Sequence, residues 1–222
     1  TAGNFNIAMG EQPLYFNSTG NDNVALGQNA LYKNTTGSRN IAIGNQSLFC
    51  NTTGIDNIAI GKNALRLNTI GTFSIGIGND VLCANTTGKY NVAIGYESSE
   101  KNTTAEYNVS LGFRTAQNNT TGSVNVAIGS EALKTTTTGA SNVAIGFDTM
   151  KLFLGPSSNV ALGRGSLCLG TGGANNVAIG SHALTGTALC TSNENVAIGY
   201  NTGKDMCGGD RNVLVGTAAG CK

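Results

Sequence analysis

Apolar residues recur along this chain as triplets, large then small then large, and each triplet closes on a glycine. With that glycine as position 0, it stands at Gly10, Gly27, Gly44, Gly61, Gly78, Gly95, Gly112, Gly129, Gly146, Gly163, Gly180, Gly199 and Gly216. Every step is 17 residues except Gly180 to Gly199, which is 19. Position −3 is always Ile or Val, and −1 is always Met, Leu, Ile or Val. Position −2 is Ala except at Gly76, Ser110 and Leu214, and −4 is Asn except at Ser74. Position +4 is mostly Leu (Leu14, Leu31, Leu48, Leu65, Leu82, Leu133), and a polar turn follows, Asn-Thr-Thr-Gly in its commonest form at 34–37, 51–54 and 85–88.

A period of two with β-branched residues at the recurring positions predicts a short strand over −3 to −1, Val and Ile on one face and Ala on the other. Gly at 0 relieves a corner that needs positive φ or has no room for a side chain. A second short extended piece is expected to carry the Leu at +4, and the Asn-Thr-Thr-Gly turn then returns the chain. One repeat is therefore one coil of a β-solenoid. It buries too few side chains to offset the entropy of ordering it, so stability must come from stacking on its neighbours. The predicted fold is all-β, a parallel β-roll of thirteen 17-residue coils running as a single continuous domain over 1–222. Stacking at ~4.8 Å gives a rod of roughly 60 Å. The Asn column at −4 is placed to hydrogen-bond along the axis from coil to coil. The small Ala row at −2 is expected to let flat faces of neighbouring chains pack closely, which favours a trimer or bundle.

Composition narrows the function classes. Thirteen Lys and Arg oppose twelve Asp and Glu, and only 11% of residues are charged, so neither nucleic acid nor an anionic membrane is indicated as a partner. No apolar run approaches the ~18 residues that cross a bilayer, so no membrane insertion is expected. Thr1 enters at phase +8 and Lys222 leaves at +6, and neither end carries a polar or helical cap. Open strand edges of that kind predict either a longer array or head-to-tail stacking into a filament.

Little sequence is left for chemistry. The one histidine, His182, sits at +2, where other repeats place Gln12, Asn29, Asn63, Glu131 or Asp148, and reads as a solvated turn residue. No nucleophile–base pair stands out, the Cys are too dispersed for zinc, and no Asp recurs in every turn as a calcium roll requires. Not an enzyme, with no cofactor and no metal, is the expectation. Cys190 and Cys207 lie 17 residues apart at the same phase, at a Cα spacing of ~4.8 Å that a disulfide spans; a disulfide between them is predicted. Cys50, Cys83, Cys168 and Cys221 have no partner on an adjacent coil.

Aromatic residues form short ladders: Tyr15, Tyr32 and Phe49 at +5, Phe73, Tyr90 and Tyr107 at −5, and Tyr96 and Phe113 at +1. The last five make a candidate platform for carbohydrate or another surface, against the plainer reading of stacking that supports the rod or a subunit contact. Sequons at Asn17, Asn34, Asn51, Asn85, Asn102 and Asn119 are candidate glycan acceptors in a secretory pathway, although the turn by itself accounts for Asn and Thr there.

The Asn-Val-Ala-Ile-Gly segment, repeated through the whole chain, resembles the head repeats of trimeric autotransporter adhesins. The fuller phrase, Asn40-Ile41-Ala42-Ile43-Gly44 with Leu48 and then Asn51-Thr52-Thr53-Gly54, resembles repeat regions of tail-fibre-like proteins of phages, large viruses and some bacteria. The resemblance implies a left-handed β-roll that trimerises side by side, although the period here is longer than that of autotransporter heads. The function it points to is a structural fibre, or an adhesin stalk or head segment, at a cell or virion surface, self-associating into trimers or end-to-end filaments. A carbohydrate- or surface-binding module using the aromatic ladders is the alternative. Ice binding through the Thr row is a weaker one, because the paired Thr are adjacent and the row breaks at Ile70 and beyond Thr138.

Overall fold

The computed structural model describes residues 3–155, 157–170, 173–186, 193–206 and 209–221. They contain strands and turns and no helix. The chain packs as two compact units, Thr1–Tyr107 and Asn108–Lys222, and both are parallel β-solenoids with one three-residue strand per 17-residue repeat.

The first unit holds β1 (Ile7–Met9), β2 (Val24–Leu26), β3 (Ile41–Ile43), β4 (Ile58–Ile60), β5 (Ile75–Ile77) and β6 (Val92–Ile94). They pair in chain order, and each residue faces the same position of the next repeat, as in Ile41↔Ile58, Ala42↔Ala59 and Ile43↔Ile60. A repeating sequence makes this register the one in which every column is chemically uniform, and a slip of one residue would put Ala against Ile throughout.

The interior is the reverse of the expected one. Ala25, Ala42, Ala59 and Ala93 at −2 are fully buried and face Leu31, Leu48, Leu65 and Leu82 at +4 in one cluster, while the Ile and Val of −3 and −1 lie on the outer face, half-buried or exposed. The Ala row is therefore unavailable to a neighbouring chain. The reason is volume. Each coil is so narrow that a Leu from the opposite turn fills it, and only a methyl group fits beside that Leu.

The expected second extended piece is also absent from this unit. Leu48 at +4 has φ +48°, Gln46 at +2 has φ +55° and Asp56 at −5 has φ +59°. The chain rounds the far side of each coil through left-handed residues, a conformation costing roughly 1–2 kcal/mol for a side-chain-bearing residue. Burial of the Leu, worth about 1.5–3 kcal/mol, offsets the cost at +4 itself. At Gly44 the corner is both left-handed (φ +130°) and closed, since a Cβ there would lie 2.5 Å from the carbonyl oxygen of Gly61.

Two amide columns fill the rest of the interior. At −4, the backbone N–H and the Nδ2 of Asn40 both donate to Oδ1 of Asn23, and Nδ2 also donates across the coil to the carbonyl of Gly54. At +7, Nδ2 of Asn51 donates to Oδ1 of Asn34 at 2.8 Å and to the same Gly54 carbonyl at 3.0 Å. Buried polar groups are tolerated when their hydrogen bonds are made, and the stacking makes them. At the one −4 position without Asn, Ser74 takes Asn57 Oδ1 through its backbone N–H and offers its hydroxyl to the N–H of Asn91.

The second unit repeats the coil with β7 (Val109–Leu111), β8 (Val126–Ile128), β9 (Val143–Ile145), β11 (Val160–Leu162), β13 (Val177–Ile179), β14 (Val196–Ile198) and β15 (Val213–Val215), paired in that order. The 19-residue step leaves Val177 facing Val196, so its two extra residues are absorbed outside the strands. Here a second sheet does form, from β10 (Leu152–Phe153) and β12 (Leu169–Gly170). It stands where the Asn-Thr-Thr-Gly turn is lost. The +7 column runs from Asn119 to Thr136 and on to Phe153, all buried, and the Thr136 hydroxyl donates to the Phe153 carbonyl. Phe153 joins Met150, Leu167 and Leu184 in an apolar core. Leu214, the one large residue at −2, fills space left by the glycines at +4: a Cβ on Gly203 would lie 3.3 Å from its Cδ1, and one on Gly220 would lie 2.9 Å away.

Candidate functional site

The outer face of the strands is the main unsatisfied surface of each unit. Positions −3 and −1 hold only Ile, Val, Leu or Met in all thirteen repeats. These side chains point away from the Ala–Leu–Asn interior because a strand alternates its faces. In the first unit Ile41, Ile43, Ile58 and Ile60 are half-buried by their own ladder neighbours and Ile94 is 41% exposed. In the second, Val126, Ile128 and Val143 are half-buried and Ile145 and Ile198 are exposed. No charged side chain interrupts either column. A sheet face of this kind has nothing to offer water and matches the composition of an interface core.

Three of the platform residues form one stack within the first unit. Phe73, Tyr90 and Tyr107 stack with ring centroids 5.1 and 4.9 Å apart and planes within 7°. Tyr96 is in the same unit at +1 and exposed; Phe113 belongs to the second unit, where the Arg114 guanidinium lies 4.9 Å from its ring centroid. The stacked rings spend their faces on one another. A sugar docks on a free ring face, so a ladder stacked this way is poorly suited to hold one. The ladder at +5 is built alike, with Tyr15 on Tyr32 at 5.3 Å and Tyr32 on Phe49 at 5.1 Å, and Phe16 set edge-on against both tyrosines.

The sequon side chains face the interior of the coil. Asn17, Asn34, Asn51, Asn85, Asn102 and Asn119 are all buried. Those from Asn34 to Asn102 donate Nδ2, the atom a glycan would occupy, both to the preceding Asn and to their own turn carbonyl. The neighbouring threonines are committed as well: the Thr35, Thr52, Thr69 and Thr86 hydroxyls donate to carbonyls of the next coil. Of each Thr pair that leaves the +9 hydroxyl, as at Thr36, Thr53 and Thr87, in a row interrupted at Ile70, which is a poor match to an ice lattice.

Charged groups pair locally. In the first unit Arg39 donates to Asp56 at 2.6 and 2.7 Å, which holds the Asp56 carboxyl below its ordinary range. In the second, Glu131 takes hydrogen bonds from Lys134 and Lys151, is held low for that reason, and Lys151 reaches Asp148 at 3.2 Å. Cys50, Cys83, Cys168 and Cys221 are free thiols. Burial pushes Cys83 up, against the opposing pull of its Arg66 hydrogen bond, and pushes Cys168 up beside Asp148, so neither is an activated nucleophile. The predicted Cys190–Cys207 disulfide lies outside the described residues.

His182 sits in a turn with φ +56°, its ring over Gly165, where a Cβ would lie 2.9 Å from Nδ1. Among the described residues no group of three or more His, Cys, Asp or Glu is placed to hold a metal ion, and no helix is long and apolar enough to cross a membrane. A cavity of about 320 Å³ in the first unit, lined by Phe5, Asn6, Ala8, Pro13, Leu14 and Asn17 with Gly3, carries no titratable side chain. The chain matches no family model, no curated protein and no solved structure.

Proposed function

We propose that this chain is a structural repeat segment, part of a fibre or of an adhesin stalk or head at a cell or virion surface, and that it works by associating side by side with copies of itself. The observation that carries the reading is the pair of uncharged aliphatic columns on the outer face of the strands. An enzyme keeps perturbed titratable groups in a cleft; here the recurring positions serve stacking, and the side chains that the strands turn outward are aliphatic. A monomer carrying such a face in water has a contiguous apolar patch of the kind that marks an interaction site. Another copy of the chain presents the same columns at the same pitch, so ridges and grooves match over many repeats. The resemblance to autotransporter heads and tail-fibre repeats supports the same role. The carbohydrate reading has no comparable support, since the ladder rings are stacked face to face.

Light scattering tests this directly. The wild-type chain is expected to have the mass of a small oligomer. Ile60→Lys with Ile128→Lys puts one charge on the outer face of each unit and is expected to give monomers with unchanged far-ultraviolet circular dichroism. A wild-type chain that stays monomeric at high concentration overturns the proposal.

A further inference from the structure

The first unit contains two pairs of stacked tyrosines that no structural role requires to be tyrosine, and we infer that they are sites of oxidative coupling that staple successive coils. Tyr15 and Tyr32 stack at 5.3 Å with planes 10° apart, and Tyr90 and Tyr107 at 4.9 Å and 7°. Four of the six tyrosines in the chain make up these pairs. Each pair sits in one column of successive repeats, so the parallel register holds the two backbones at neighbouring-strand spacing, about 4.8 Å. Tyr15, Tyr90 and Tyr107 are 56%, 43% and 54% exposed, so a diffusing oxidant reaches them.

Phenylalanine already does the stacking in the same columns. Phe49 packs on Tyr32 and Phe73 on Tyr90, both at 5.1 Å and 2°. Packing alone therefore does not select the phenol. The hydroxyl adds a group that loses an electron and a proton to a one-electron oxidant, of the peroxidase and hydrogen peroxide class. Peroxide takes one hydrogen atom from each of the two phenols and leaves as two waters. The two tyrosyl radicals join through ring carbons ortho to oxygen. One carbon–carbon bond forms, and the two ortho hydrogens move to the phenol oxygens as the rings regain aromaticity. The rings must turn about χ2 to bring their ortho edges together, and that torsion is soft for tyrosine. The product ties residues 17 apart, as a disulfide ties a loop of that length, and removes freedom from the unfolded chain.

The test uses the full chain at low concentration with peroxidase and limiting hydrogen peroxide, with isotope-labelled and unlabelled chains mixed. The expected result is dityrosine fluorescence, a loss of two hydrogens per link, and joined peptides of unmixed label at Tyr15–Tyr32 and Tyr90–Tyr107. A higher thermal midpoint of the treated chain should accompany them. Tyr32→Phe with Tyr107→Phe keeps both stacks, on the precedent of Phe49 and Phe73, and should abolish these links. Coupling through Tyr96 or Tyr200 instead, links only between chains, persistence in the double variant, or tyrosine oxidation without coupling each overturns the inference. The readout is within one chain, so it stands or falls apart from self-association.

Discussion

At Gly76 the −2 column loses its methyl group, and five residues on Val81 stands where the three preceding repeats have Ala30, Ser47 and Ala64. The two exceptions are one substitution: a Cβ on Gly76 would lie 3.2 Å from Cγ1 of Val81 and 3.4 Å from Cδ1 of Leu65. Gly76→Ala overpacks this coil and should cost about 1 kcal/mol. Val81→Ala opens a gap and should cost about 1–2 kcal/mol. The double variant restores the neighbouring repeats' own pairing, so its cost should fall short of the sum by about 1 kcal/mol. Urea midpoints of the four chains measure this, and simple additivity would contradict the packing account. The same volume rule explains what the sequence hid at this scale. Alternation shows that Ala42 and Ile41 face opposite ways, but hydrophobicity ranks Ile as the core residue. The width of the coil, which decides the matter, is set by Leu48 on the far side.

The strand and its glycine corner were legible as an element, down to register, because the same residue recurs at each position. The −4 amide column was legible for the same reason. The +7 column was not: Asn-Thr-Thr-Gly has the composition of a solvated turn, and nothing local says that Asn51 points inward. Leu at +4 likewise hides its left-handed turn, although Gly203 and Gly220 replace Leu at that position and are the residues such a conformation favours. The inward Asn makes a prediction. Asn51→Ala deprives Asn34 Oδ1 of its donor and leaves the Nδ2 of Asn68 without Asn51 Oδ1 as acceptor. Loss of buried hydrogen bonds of this kind should cost about 1–3 kcal/mol. Thr53→Ala, exposed on the same turn, should be close to neutral. Equal effects of the two in denaturant titrations would mean that the column does not carry load.

For the molecule as a whole, low charge has a consequence for pH. The carboxylates held low, Asp56 by Arg39 and Glu131 by Lys134 and Lys151, bind protons less readily folded than unfolded. Their contribution is present above the ordinary carboxylate values of 3.8 and 4.5 and is lost as pH falls through the lowered folded values. Stability should therefore be level near neutrality and decline only in acid. Glu131→Gln should shrink that acid decline, which thermal midpoints across pH would record.

The register Ile41↔Ile58, Ala42↔Ala59, Ile43↔Ile60 means that each strand meets a near-copy of itself. Excision of one repeat's worth of codons would bring Ile41 onto Ile75, Asn40 onto Ser74 and Gly44 onto Gly78, positions of the same class. Duplication would do the reverse. Unequal recombination within the gene should therefore yield chains of altered length that still fold, and the number of repeats can drift between lineages while the cross-section stays constant.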